Sequence, residues 1–332
     1  MDKMNILVTG GTGFMGTYLI PRLLEEGHNV RLIVRNCSKA RQLYHNTCEL
    51  VEGDIQNADS LKGCCEGIDI VYHMAALMGH DSPSPEAFEM FRKVNVEGVK
   101  NIVREAQKCN VKKFIHISST AAMGLQNETY IDEKKTCNPY TPYQVTKREG
   151  ELIVLDEVKK NNFPAIIVRP SMVYGPGFKG DFLTIAKVCK TGFFPKVGSG
   201  KNLSPALYIT DLCDALIRFI DKGEIGEIYL LSSKESYTLK ETAEIIGKAL
   251  NKNIKFIYIP KSMAIAGASL LEYVCKLLRK KPVITKRNIQ SVSKDRVINI
   301  SKLMNTLEFE PRISLKIGLP ITIEYFKEQK YL

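Results

Sequence analysis

The sequence predicts an α/β fold: a Rossmann-type, doubly wound parallel sheet with a smaller, partly interleaved C-terminal α/β substrate lobe. Three observations carry this. First, β-rich runs at 5–9, 29–34, 68–74, 112–118 and 164–169 alternate with amphipathic stretches such as 14–26 and 86–108, and that alternation builds βαβ units. Second, the runs ILVT, IDIVYHM and FIHISS are continuously apolar, as strands covered by helices on both faces must be. Third, a turn holding four glycines, TGGTGFMG at 9–16, separates the first strand from the first helix.

That turn fits Gly-x-Gly-x-x-Gly through Gly11, Gly13 and Gly16, and Thr-Gly-x-x-Gly-x-x-Gly through Thr9, Gly10, Gly13 and Gly16. Glycines let the backbone turn sharply and approach a dinucleotide pyrophosphate, whose charge meets the N-terminus of helix 14–26. Gly10, Thr12, Gly13, Phe14, Met15 and Gly16 are therefore candidate cofactor contacts. A tight turn without a ligand is the structural alternative. The helix itself places Leu19, Ile20, Leu23 and Leu24 on one face.

The second strand, VRLIVRN, ends in Val34 and Arg35 with no carboxylate near its end. An NAD site usually holds the adenosine ribose with an acid there. Arg35, followed by Ser38, Lys39 and Arg41, offers cations and a hydroxyl to a 2′-phosphate instead. NADP(H) is thus favoured, with NAD(H) the alternative, and Arg35 and Lys39 are its candidate ligands; a solvated strand-end charge is the plain reading of Arg35. After the third strand, Asp54 either accepts from the adenine amino group or caps a helix near residue 57, and Ile55 stands beside it.

Residues 143–147 read YQVTK. At i and i+4 on a helix, Tyr143 and Lys147 share a face. A tyrosine is a poor acid or base near neutrality unless a cation stabilises its phenolate, which Lys147 would supply. Some 25 residues earlier, FIHISS ends in Ser118 and Ser119 at the C-terminal edge of the sheet, where such folds bind ligands.

With TGGTGFMG, GDI at 53–55, HMAAL at 73–77, NVEGVKN at 95–101, ISSTAAMG at 117–124, YQVTK and RPSMVYGPG at 169–177, the chain resembles an extended short-chain dehydrogenase/reductase over nearly its whole length. The resemblance implies Ser119 as the catalytic hydroxyl, with Thr120 a competitor, Tyr143 as acid/base and Lys147 as its support. It further implies Ser118, Ala75 and Ala76 beside the cofactor, Asn95 positioning structure near the nicotinamide, and the 170–173 loop, with Pro170 and Val173, covering that ring. Helices near 86–108 and 143–160 pair across a homodimer in such relatives.

Two branches of that superfamily compete. Nucleotide-sugar epimerases and dehydratases keep NAD tightly bound, whereas dihydroflavonol reductases and 3β-hydroxysteroid dehydrogenases release their cofactor. The Val34–Arg35 strand end resembles the reductases. Within GSGKNLSPALYITDL at 198–212, sugar-nucleotide enzymes often place a diphosphate-clamping arginine, where this chain has Lys201, Leu203 and Pro205. The reading is therefore an NADP(H)-dependent oxidoreductase interconverting a ketone and a secondary alcohol on a small apolar substrate. A nucleotide-sugar epimerase or dehydratase is the rival, and a non-catalytic NADP-sensing or scaffold protein the third reading.

After about residue 175 the rhythm changes. Gly- and Pro-rich loops (GPGFKGD, FFPKVGSGKNLSP) interrupt helices near 180–191 and 210–222, and Thr238 with Glu241 forms a capping-box start for a helix over 238–250. This divides the chain into an NADP-binding lobe over 1–175, with 205–232 returning to it, and a mainly substrate-binding lobe over 176–332. The apolar stretch 262–278 reads as a lid over the substrate pocket; alternatively it dips into a membrane surface, anchored by basic residues up to 281. His80 and Tyr140 lie in loops that could reach substrate.

At 332 residues, 44% hydrophobic and 25% charged, the composition is that of an ordinary globular protein. Lys and Arg are spread along the chain despite a net charge of +11, which suits a basic surface attracting anionic ligands rather than nucleic acid. Nine cysteines without Cys-x-x-Cys or Cys/His clusters read as free thiols in the cytoplasm, with no metal site. The N-terminus runs straight into the first strand, and no apolar run is long enough to span a membrane.

Overall fold

A computed structural model describes residues 2–79, 83–278, 285–286, 289 and 294–332. Its centre is a seven-stranded parallel sheet of β1 (Asn5–Thr9), β2 (Asn29–Val34), β3 (Glu49–Glu52), β4 (Ile70–His73), β5 (Lys113–Ile117), β7 (Ala165–Pro170) and β11 (Ile228–Leu231). A two-residue strand, β6 (Tyr130–Ile131), lies outside it. The spatial order is β11-β7-β5-β4-β1-β2-β3. Strand order reverses between β1 and β4, and ligands of open α/β sheets sit outside the strand ends at such a point.

Alternate residues of each strand feed two apolar layers. Ile6, Val8, Leu32, Tyr72, Ile115 and Val168 enter one buried cluster, and Leu7, Ile33, Val71, Phe114 and Ile167 enter the other. That explains the continuous apolar runs. The second layer is closed by α4 (Gly98–Lys108) and α5 (Pro142–Asn161), through Val99, Ile102, Val103 and Val154.

The stretch 86–108, expected as one amphipathic segment, is divided. Helix α3 (Pro85–Arg92) runs into a π-helical turn at Lys93–Glu97 before α4 begins. The wider turn brings Asn95 inward, where its amide accepts from Leu77 N–H at 2.8 Å and donates to Leu77 carbonyl and Thr146 Oγ1. These bonds reward a turn that hydrophobic periodicity cannot signal.

Beyond residue 175, part of the stretch expected as loop is strand. Phe193–Val197 forms β9, paired in parallel with β13 (Lys255–Ile259), and Leu203–Tyr208 forms β10, between β8 (Met172–Tyr174) and β12 (Ser236–Thr238). Pro195 is tolerated because a two-stranded ribbon leaves it an unpaired edge. Helix α6 (Asp181–Lys190) precedes β9, and α7 (Ile209–Arg218) covers the large sheet, with Tyr72 Oη donating to Leu216 carbonyl at 2.7 Å. The capping box at Thr238 and Glu241 starts α8 (Leu239–Ala249) as its sequence implies. The long apolar helix is α9 (Lys261–Leu277), and it turns its apolar face outward instead of over a pocket. Further on lie β14 (Val297–Ile298), which pairs with β6, and helices α10 (Ser301–Leu307) and α11 (Leu315–Glu328). No helix among the described residues is long and apolar enough to cross a membrane.

Candidate active site

The glycine turn joins β1 to α1 (Phe14–Glu25). Gly10 has φ +74°, and a Cβ there would lie 2.7 Å from Ala75 N. A Cβ on Gly16 would lie 2.1 Å from Gly11 O, so the helix can seat against the turn only without a side chain. Gly13 precedes α1 in extended conformation, no side chain caps the helix, and its first turn holds no acid. Those unsatisfied amides fit an anionic group. Thr12, Phe14 and Met15 complete the turn, and Phe14 stacks on Phe178 at 4.9 Å. These residues fit a dinucleotide pyrophosphate, and we propose them as its cradle.

Thr9 ties this turn to the end of β4: its hydroxyl meets His73 Nδ1 at 2.8 Å and accepts from Ala75 N–H at 3.2 Å. Ala75 and Ala76 thus stand beside the glycine turn, and Asn95 anchors Leu77 just beyond them.

At the end of β2, Arg35 and Lys39 are exposed, and neither forms an ion pair among the described residues. Asn36 caps α2 (Cys37–Tyr44) by accepting from Lys39 N–H. Asp54 does not cap the next helical turn. Asn57 does, while the Asp54 carboxylate accepts from Gln56 N–H at 3.0 Å. Ile55 packs its side chain against Gly98 in the core and accepts at its carbonyl from Asn101, leaving little of its side chain for a cofactor.

Helix α5 begins with a capping box, Thr141 with Gln144, and Pro142 in its first turn. That start sets Tyr143 at the mouth of the site and Lys147 one turn deeper. Ser119 follows β5 and caps a short 3₁₀ turn by accepting from Ala121 N–H at 3.1 Å, and its hydroxyl lies near enough to Tyr143 to act on the phenol. Thr120 opens that same 3₁₀ turn. The structure thus brings Ser119 and Tyr143 together.

The charges differ from the simple expectation. Lys147 is buried, donates to Ile117 carbonyl at 2.7 Å, and is held down to about 8 by burial. Burial raises the Tyr143 phenol, and the nearby Ser119 hydroxyl opposes it. The resting site therefore keeps Tyr143 protonated, while the Lys147 ammonium is directed to the Ile117 carbonyl. Beneath them, the His73 and His116 rings stack at 5.4 Å. Burial, with the Lys147 charge second, lowers His73 to about 3 and His116 well below its usual value.

Ser118 faces the other way. Its Oγ donates to Glu151 Oε1 at 2.5 Å, and Glu151 also receives Arg169 through Nε and Nη2, each at 2.7 Å. Arg148 adds a bond at 2.9 Å. Burial favours the neutral acid, but Arg169, Ser118 and Arg148 outweigh it and hold Glu151 below its usual range. This network went unnoticed in the sequence. Pro170 ends β7 beside Leu231, and Val173 in β8 pairs with Leu207.

Arg296 also escaped the sequence reading. Its N–H donates to Leu203 carbonyl at 3.0 Å, and its Nε is buried without a partner among the described residues. The tail thus places an arginine beside the very segment that lacks one. The only signal was a lone Arg in KDRVINI, placed by the β14–β6 pairing. Tyr140 is exposed, and His80 lies outside the described residues.

A glycine turn and a Ser–Tyr–Lys group at one edge of a doubly wound sheet define a nucleotide-binding α/β enzyme of the extended short-chain dehydrogenase/reductase type. The chain belongs to the NAD dependent epimerase/dehydratase family, whose sequence model matches residues 6–232. Members are NAD(P)-dependent oxidoreductases, epimerases and dehydratases acting on CH–OH groups. It is 23% identical over 95% of both chains to a 4-hydroxy-2-methyl-3-oxo-4-farnesyl-3,4-dihydroquinoline-1-oxide ketoreductase of Stigmatella aurantiaca. It is also 30% identical, over 76% of its length, to a trifunctional UDP-glucose 4,6-dehydratase/epimerase/reductase of Arabidopsis thaliana, and spans 41% of that larger protein. Its fold matches UDP-glucuronic acid 4-epimerase from Bacillus cereus in complex with NAD, with TM-score 0.78 and 23% identity over 98% of this chain and 97% of that one.

Proposed function

We propose that the protein is an NADP(H)-dependent oxidoreductase interconverting a ketone and a secondary alcohol on a small, apolar, steroid- or flavonoid-like substrate. The observation that carries this reading is the convergence of Ser119, just after β5, and Tyr143, at the start of α5, at the sheet edge beside the glycine turn. A nicotinamide dinucleotide bound there supplies or accepts the hydride. Ser119 holds the substrate oxygen, and Tyr143 gives its phenol proton to that oxygen in reduction and takes it back in oxidation. A raised phenol pKa keeps Tyr143 in the protonated form with which reduction starts. The free cations Arg35 and Lys39 support NADP(H) over NAD(H), and the ketoreductase relative, matched over 95% of both chains, supports carbonyl reduction.

Arg296 favours a second reading, a nucleotide-sugar epimerase or dehydratase. Its buried, unpartnered Nε suits an anion, and the relative from Arabidopsis acts on UDP-sugars.

One experiment separates the two. Purified protein with NADPH and a panel of steroids, flavonols and aryl ketones should lose nicotinamide absorbance. Tyr143→Phe should cut that rate by about a thousandfold while still binding NADPH. No turnover on any ketone, with copurifying NAD and a UDP-sugar that raises the melting temperature of wild type but not of Arg296→Met, would establish the second reading.

A further inference from the structure

Helix α9 carries its polarity inside out. Of its residues 261–275 only Ala268 is buried, and Ala264, Ile265, Glu272 and Cys275 share that inward side, half-shielded. The opposite face consists of Met263, Ala266, Gly267, Leu270, Tyr273 and Val274, all exposed. Met263, Leu270 and Tyr273 are 66%, 65% and 63% accessible. This outward face holds no charged side chain, and Glu272, the helix's single acid, lies on the inward side. A surface helix of a globular domain has the reverse pattern. The strand leading into it, β13, adds exposed Ile257 and Tyr258. At 17 residues the helix is about 25 Å long, too short to cross a bilayer.

We propose that α9 docks the protein on an anionic lipid bilayer surface, with its outward apolar face in the interfacial layer. Charge selects this occupant. Residues 252–287 contain nine Lys and Arg and one acid, Glu272, a surplus of eight out of the chain's net +11. Although Lys and Arg occur along the whole chain, acids offset them elsewhere, so most of the net charge falls within this segment of the sequence. A second copy seated on α9 would set two such surpluses against each other. Nucleic acid would meet an apolar face where it needs cations. An anionic bilayer accepts both features: apolar side chains enter the acyl boundary, tyrosines sit at headgroup depth, and each nearby cation adds attraction.

The chain contains no tryptophan, so Tyr273→Trp supplies a single reporter on the outward face. The protein should sediment with vesicles of phosphatidylcholine and phosphatidylglycerol in equal parts, and about tenfold or more weakly with phosphatidylcholine alone. On the mixed vesicles the emission of the Tyr273→Trp variant should shift to the blue. Leu270→Glu/Val274→Glu, two exposed positions, should lose binding about tenfold or more at an unchanged melting temperature. Absence of binding to mixed vesicles, an unmoved tryptophan spectrum, or a double variant that binds like wild type would overturn the proposal. So would a dimer by light scattering that the double variant dissolves while vesicles bind neither form. Should the double variant fail to fold, the tryptophan shift and the lipid dependence of the wild type decide the matter.

Discussion

Lys147 is buried, and its Nζ donates to the Ile117 carbonyl. Burial holds its pKa down to about 8, from an ordinary 10.5. Between those values the unfolded chain binds a proton that the native chain has released. Stability arising from this group therefore rises with pH through that window, and below it the fold carries the full cost, on the order of 3 kcal/mol. Lys147→Met removes the titration. Thermal melts from pH 7.5 to 10 should show wild type gaining stability relative to the variant as pH rises; a difference that stays flat or falls would contradict the burial of the charge. Spacing made the pairing with Tyr143 visible, because i and i+4 is a local relation. It could not show where the ammonium points, since its partner, Ile117, lies 30 residues earlier in the chain.

Helix α5 is fixed at both ends of its functional stretch. Its capping box orients Tyr143, and two turns further on Glu151 is pinned by Arg169 of β7 and by Ser118, the neighbour of Ser119. Glu151 and Arg169 are almost wholly inaccessible. Removing one partner of such a pair leaves an uncompensated buried charge and costs about 3–5 kcal/mol. Arg169→Leu should therefore lower unfolding free energy by that amount in urea titrations. Glu151→Leu/Arg169→Leu should recover part of the loss, because no orphan charge remains. A single variant within about 1 kcal/mol of wild type would count against the network. The strands, the glycine turn and the start of α8 were legible because each rests on periodicity or a short spacing. The ion pair, the π-helical turn at Asn95 and the position of Arg296 were not. Each depends on what another element brings to meet it: β7 for Glu151, the loop after β4 for Asn95, and β10 for Arg296.

The early and late parts of the chain share one apolar core. The cluster that holds Ile6, Leu19 and Leu32 from the N-terminal half continues through Phe182, Leu212, Ile246, Leu303 and Phe326. Helix α1 is also bonded directly to the later chain, with Tyr18 Oη donating to Pro176 carbonyl at 2.8 Å and Phe14 stacked on Phe178. The sequence announced two lobes by a change of rhythm near residue 175 and the lack of a linker. It could not show how much apolar surface they bury against each other, because those contacts join residues some 200 positions apart. A shared core exposes apolar surface on both sides if either lobe melts alone, which disfavours a half-folded state. Urea unfolding followed by far-ultraviolet circular dichroism and by tyrosine fluorescence should therefore give one transition with coincident midpoints. With Tyr18, Tyr44 and Tyr72 in the early chain, and Tyr237, Tyr258 and Tyr325 in the late chain, fluorescence samples both parts. Two separated transitions would mean that the lobes are independent units, and that the continuous cluster contributes too little to couple them.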